Sequence, residues 1–253
     1  MLTTIPTSSA PAFRSAKPIW PTGRDKEMNL SVGFRAVVEA PPAQKVILRM
    51  TASTLYRAFV NGRFAAHGPA RGPHGWYRID EWDITDHLQQ SQNIIAIEVA
   101  GYNSNSYYLI DQPAFLQAEI DVGDKILAST NSQDTAFTAT ILKERLQKVQ
   151  RYSFQRPFSE VYFLKPDYDR WHQDLAAPFE PVPCDSVPAH NLLPRRIPYP
   201  TFDRRSPSRH VAQGTIKTGI EIKTPWKDRS LVNISGQLKG FKETELTTIP
   251  SLE

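Results

Sequence analysis

Proline falls so often in this sequence that little room is left for a long helix. It occupies 21 of the 253 positions, about 8% against a usual level near 5%. Each proline fixes φ and removes a backbone donor, which breaks a helix interior and suits turns, loops and strand ends. A helical bundle is therefore unsupported, and the segments between prolines read as short strands. Leu30–Val38 and Gln44–Thr51 are β-type runs separated by Pro41-Pro42; the second sets Val46, Leu48 and Met50 on one face. Leu55–Val60 and Arg63–Ala66 flank Asn61-Gly62, a pair that tolerates positive φ at both central positions of a type I′ turn and is the strongest hairpin signal in the chain. Gly123-Asp124, between Ala114–Val122 and Lys125–Thr130, is a second hairpin candidate. Trp76–Asp80, Asn93–Ala100, Thr135–Ala139 and Glu160–Leu164 add further strands. Residues 141–149 alone have helical spacing, with an extended loop as the competing reading.

Many short strands with turn signals every 8–12 residues indicate an all-β fold, an antiparallel β-sandwich or jelly roll of galactose-binding-like type. The expected organisation is an irregular lead-in over 1–29, a β-sandwich domain over 30–177 and a proline-rich linker over 178–209. A second β-rich piece, incomplete, would follow over 210–253, with strands at Gly214–Lys223 and Ser230–Leu238. Eight prolines lie in 178–207, so a meandering surface wrap is the alternative to a linker there. The length is enough for a buried core without a disulfide or metal staple. The single cysteine, Cys184, excludes an internal disulfide and a cysteine-ligated zinc finger, and no histidine or helix start stands near it to activate a catalytic thiol.

The net charge of +4 is placed unevenly: residues 1–139 carry 12 basic and 13 acidic side chains, and residues 140–253 carry 18 and 13. No clustered basic face or reading element accompanies it, so no nucleic-acid partner is expected. No apolar run approaches the length of a membrane span, and the first residues lack a signal-peptide pattern. The location stays open, with a cytoplasmic one favoured on that ground; a trimmed export signal would leave the same sequence.

The familiar catalytic patterns are missing. There is no G-x-S-x-G elbow, no phosphate loop, and no zinc signature. Asp80, Glu81, Asp83 and Asp86 could supply a general acid or a structural calcium site, but capping and surface solvation weigh above both, and no cofactor is expected. Aromatic residues are more informative. Trp76, Tyr77 and Tyr107-Tyr108 stand in or beside loops rich in Gly, Asn and Ser, with Asn103 and Asn105 as donors and acceptors and Arg71, Arg78 and Asp111 as charged partners. Aromatic faces pack on sugar C–H surfaces while amides and charged groups bind hydroxyls. These nine residues are the candidate substrate-binding set. Core or interface packing of Trp76 and Tyr108 competes with that role.

Three ordered blocks carry a resemblance. They are Leu55-Tyr56-Arg57-Ala58-Phe59-Val60-Asn61-Gly62, then Gly68-Pro69-Ala70-Arg71-Gly72-Pro73, then Tyr77-Arg78-Ile79-Asp80-Glu81-Trp82-Asp83-Ile84-Thr85. The stretches 93–99, 101–103, 111–115, 151–158 and 193–196 continue the series. The chain resembles the N-terminal β-sandwich domain of bacterial α-L-rhamnosidases. The resemblance implies a glycoside hydrolase that inverts terminal α-L-rhamnose with two acidic residues on a separate C-terminal (α/α)₆ barrel. Nothing here matches that barrel, so no catalytic residue is carried over. The expected role is a non-catalytic accessory domain that supports the barrel and contacts rhamnose-containing glycan. A free-standing carbohydrate-binding module and a protein–protein interaction β-sandwich are the alternatives.

Overall fold

A computed structural model describes residues 12–39, 41, 44–107, 111–131, 137–151, 155, 157–215 and 239–248. The strands among these residues are β1 (Ile19–Pro21), β2 (Leu30–Glu39), β3 (Val46–Ser53), β4 (Leu55–Val60), β5 (Arg63–Gly68), β6 (Trp76–Asp83), β7 (Gln92–Gly101), β8 (Phe115–Val122), β9 (Lys125–Ser129), β10 (Thr138–Ile141), β11 (Cys184–Ser186) and β12 (Asn191–Pro194). Among the described residues, helix is confined to short 3-10 turns such as Thr85–His87 and Arg170–His172.

The strands form two sheets. One is antiparallel in the order β10-β2-β7-β4-β5. The other runs β11-β1-β8-β3-β6-β12, with β9 also paired to β8; β12 joins β6 in parallel and the remaining pairs are antiparallel. The side-chain period of two explains the sandwich. Val32, Phe34, Ala36 and Val38 of β2, Ile95, Ile97 and Val99 of β7, and Tyr56, Ala58 and Val60 of β4 face inward. They meet Val46, Leu48 and Met50 of β3 and Leu116, Ala118 and Ile120 of β8 in one buried cluster. Leu30↔Gly101 through Glu39↔Gln92 fixes a ten-residue register between β2 and β7. The β4–β5 hairpin turns where expected, with Asn61 and Gly62 both at positive φ (50° and 77°).

Four sequence readings change; the first is Glu160–Leu164, read as a strand, which is loop with a single bridge, Arg145↔Tyr162. Residues 19–21 of the expected irregular lead-in form β1, and Trp20 is fully buried in the core. Residues 12–18 lie over β8: the N–H groups of Arg14, Ser15 and Ala16 donate to the Glu119 carboxylate at 3.0–3.1 Å. The helical spacing of 141–149 belongs to a loop. Leu142 N–H donates to Ser31 O and Leu146 N–H to Val161 O, outside any helical ladder. The proline-rich stretch from 182 to 202 is a wrap. It adds β11 to β1 and β12 to β6, and Tyr199 and Phe202 pack on Trp82. The strands expected at Gly214–Lys223 and Ser230–Leu238 lie almost wholly outside the described residues. Residues 239–248 return to the sandwich, where Phe241 meets Phe158 at 5.5 Å and Thr247 N–H donates to Lys148 O. No helix among the described residues is long and apolar enough to cross a membrane.

Candidate functional site

The nine residues singled out in the sequence fall on two loops, each held by its own partners. Arg71, Trp76, Tyr77 and Arg78 occupy the β5–β6 connection and the start of β6. Arg78 Nε donates to Arg71 O at 2.6 Å, and its Nη1 donates to Pro194 O at 2.8 Å, so this guanidinium ties the loop to β12. Tyr77 points inward, 4.8 Å from both the Phe115 and His190 rings, and burial pushes its phenol up to about 12. Trp76 is 42% exposed. On the second loop, Asn103 is buried at φ 45° with Nδ2 donating to Asp25 O, and Asn105 accepts from Arg151. Asp111 accepts from Lys239 Nζ at 2.7 Å through both oxygens. Tyr107 is exposed, and Tyr108 lies outside the described residues. Of the nine, Arg71, Trp76, Asn105, Tyr107 and Asp111 are exposed.

The acidic cluster is bound into structure. Asp80 is fully buried; it accepts from Tyr56 Oη and from Arg195 Nη1 (2.9 Å), and Trp82 Nε1 donates to the same Tyr56 oxygen at 2.8 Å. Burial pushes the Asp80 carboxyl above the usual carboxylate range against the pull of Tyr56 and Arg195. Glu81 pairs with Arg49 at 2.9 Å, and Asp83 accepts from the Thr85 hydroxyl and N–H. Among the described residues no three His, Cys, Asp or Glu side chains are grouped as a metal ion would require. Cys184 sits in β11, where burial pushes its thiol up to about 11, away from thiolate chemistry.

A concave site stands elsewhere, on the outward face of the five-stranded sheet. Register places His67, Arg57 and Glu98 side by side across β5, β4 and β7. Arg57 Nε donates to Glu98 Oε2 at 2.8 Å, and His172 Nε2 lies 3.1 Å from Glu98 Oε1 while its ring stacks on Phe59 at 4.1 Å. Burial would raise the Glu98 carboxyl, but the contact with His172 and the charge of Arg57 outweigh it and hold it below its ordinary range. The described residues within 142–179 cover this face and are pinned at two ends. Trp171, Leu142 and Ala177 pack on Ala96 and Phe59, while Val149 and Phe158 pack with Tyr102, Leu55 and Ala100. Gly33 admits the first anchor, since a Cβ there would stand 2.7 Å from the Trp171 ring.

Between the anchors the cover stands off the sheet and leaves a pocket of about 400 Å³. Arg57, His67, Glu98, Tyr102, Glu144, Arg145, Glu160, Tyr162 and Tyr168 line it, with Leu55, Leu142 and Leu164 as apolar wall. Arg145 is held by Ser31 Oγ (3.1 Å) and Tyr102 Oη (3.4 Å), with Glu160 at 3.8 Å. Burial and the nearby charge of Glu98 raise the Glu144 carboxyl. None of these lining residues belongs to the nine. Arg57, His67 and Glu98 offered only polar side chains at strand positions, the other polar side chains among them lie in loops, and the Arg57–Glu98 pairing became visible once β4 and β7 were in register.

No protein-family model matches the chain, and no curated protein does. Solved structures do. A GH78 family rhamnosidase of Bacillus sp. GL1 is 26% identical, with a TM-score of 0.65, over 75% of this chain and 20% of that one. The native α-L-rhamnosidase from Aspergillus terreus is 16% identical, with a TM-score of 0.51, over 72% of this chain and 22% of that one. The chain thus spans about a fifth of the length of the structures it matches. The rhamnosidase-type β-domain expected from the motifs is the fold observed.

Proposed function

We propose that this chain is the non-catalytic β-domain of a rhamnosidase-type glycoside hydrolase, acting beside an (α/α)₆ catalytic barrel in the same polypeptide. The observation that carries the reading is the 26% identity to a GH78 rhamnosidase over three quarters of this chain, matched to a fifth of that one. Hydrolysis of a glycosidic bond needs a pair of carboxyl groups that reach the substrate. The acids of the Asp80–Asp86 segment do not favour such a role, because Asp80 is buried against Arg195 and Glu81 is paired with Arg49. The domain braces the barrel and contacts rhamnose-containing glycan through the exposed side chains of Arg71, Trp76 and Tyr107. The test is turnover of an aryl α-L-rhamnoside by the 253-residue chain. No release above background is expected, and robust turnover would sink the non-catalytic assignment.

The lined pocket on the five-stranded sheet favours a second reading, a carbohydrate-binding module able to act without a barrel. Tryptophan fluorescence titrated with rhamnosides, repeated on Trp76→Ala, separates loop recognition from recognition elsewhere.

A further inference from the structure

The geometry points to the pocket between β4, β7 and the 142–168 cover as a binding site for one neutral polyhydroxylated ligand, a single sugar unit. Its size, about 400 Å³, falls within the roughly 300–1,000 Å³ of small-molecule sites. The charges decide the ligand class. Arg57 is engaged by Glu98, and Arg145 by Ser31, Tyr102 and Glu160. Three carboxylates against two guanidiniums leave no cationic excess for a phosphate or other anion. The same pairing spends the carboxylates that a cation would need, and Glu144 is the one without such a partner in these pairs. A purely apolar ligand would strip water from five charged side chains without replacing their hydrogen bonds, which is costly. What remains is a ligand that offers hydroxyls to Glu144, Glu160 and Arg57 and a C–H face to Tyr162 and Tyr168. A sugar ring has both surfaces.

The position of the pocket also suits binding. Its floor is a register-fixed sheet, and its cover is packed at both ends by the Trp171 and Phe158 clusters. Little ordering is needed when the ligand enters, and preorganisation of that kind favours affinity. Tyr162 and Tyr168 form the outer lip, 38% and 40% exposed. Their removal therefore leaves the core intact.

This inference uses the accessory-domain reading only to choose sugars as probes; the charge and shape argument stands without it. The experiment titrates the ¹⁵N-labelled chain with a panel of hexoses and 6-deoxyhexoses, with inorganic phosphate and tetramethylammonium as anion and cation probes. Saturable amide shifts from at least one sugar are expected around Arg57, Glu98 and Arg145, with affinity on the order of millimolar. Tyr162→Ala and Glu144→Gln should each weaken that affinity about tenfold, a loss of about 1.4 kcal/mol, while Val211→Ala, at an exposed residue outside the pocket lining, leaves it unchanged. No saturable sugar response, a response to phosphate or tetramethylammonium in place of sugar, or a sugar response lost in Trp76→Ala but kept in Tyr162→Ala would each overturn the assignment. Turnover of the aryl rhamnoside is a separate readout, so failure of the pocket leaves the accessory reading standing, and the converse holds.

Discussion

Replacing Gly68 by alanine should be among the most damaging single-methyl changes in this protein. Gly68 ends β5 and opens the Gly-Pro-Ala-Arg-Gly-Pro block. A Cβ there would come within 2.5 Å of Tyr56 Oη, within 2.7 Å of Tyr56 Cζ, and closer still to Asp80 Oδ2. All three atoms are buried, and the Tyr56–Asp80 pair is shared with Trp82 and Arg195. The methyl must therefore part the tyrosine from the carboxylate or move a strand. Losing a hydrogen bond to a buried charged group costs about 1.5–3 kcal/mol, and forcing a methyl into a packed interior costs about 1–3 kcal/mol. The two together give about 2.5–6 kcal/mol, with a middle value near 4. With a urea dependence of about 2 kcal/mol per molar, the unfolding midpoint should drop by about 2 M. Tryptophan fluorescence reports it directly because Trp82 belongs to the network. Gly214→Ala is the control: nothing lies within 4 Å of that site, and a change within about 0.5 kcal/mol is expected. A Gly68→Ala midpoint indistinguishable from that of Gly214→Ala would refute the close-approach argument.

Three further outcomes follow from the buried carboxylates of Asp80 and Glu119. Arg195→Met leaves Asp80 buried without its cation, for which about 3–5 kcal/mol is expected, and protease should cut the freed wrap near 195–205 faster than in the wild type. Because Gly68 and Arg195 serve one network, the double variant should cost less than the two single losses together. Burial would raise Glu119, but the N–H groups of Ser15, Arg14 and Ala16 and the Arg49 guanidinium outweigh it, so its folded carboxyl is held below the ordinary value. The stability it contributes is fully present above about pH 4.3, the unfolded value, and is lost as pH falls through the lower folded value. Glu119→Gln should flatten the acid limb of stability against pH, and an unchanged limb would place the acid sensitivity elsewhere.

The sandwich was legible because a sheet buried on one face imprints a period of two on its strands, as Val46, Leu48 and Met50 show. The Asn61-Gly62 turn was legible because its chemistry is local. The loop at 141–149 misled for a physical reason. Leu142 packs in one anchoring cluster while Leu146 and Val149 pack in the other. Their spacing of four and three residues reflects a chain strung between two anchors, and it happens to match a helix repeat. Burial of β1 was invisible for a similar reason. Three residues are too few to show a period, and the strand exists because β8 and β11 flank it.

The pocket was the least legible part, because the recognisable motifs and the pocket are built largely from different residues. Part of the rhamnosidase resemblance, Tyr56, Gly68, Ala70 and Trp82, gathers around the buried Asp80 carboxylate, and Arg195 arrives from the wrap to neutralise it. A side chain enclosed by protein on every side cannot touch a ligand, so this constellation specifies how the wrap closes on the sheet edge. Arg57, Glu98, Glu144, Arg145 and Tyr162 are scattered over more than a hundred positions and meet only through strand register and the anchored cover. The two sets should therefore respond to different assays. Substitutions in the Asp80 network should move the urea midpoint, and substitutions at Tyr162 or Glu144 should move sugar affinity while leaving that midpoint nearly in place. The resemblance transmits a fold, and any ligand chemistry must be sought among the residues the fold leaves facing outward.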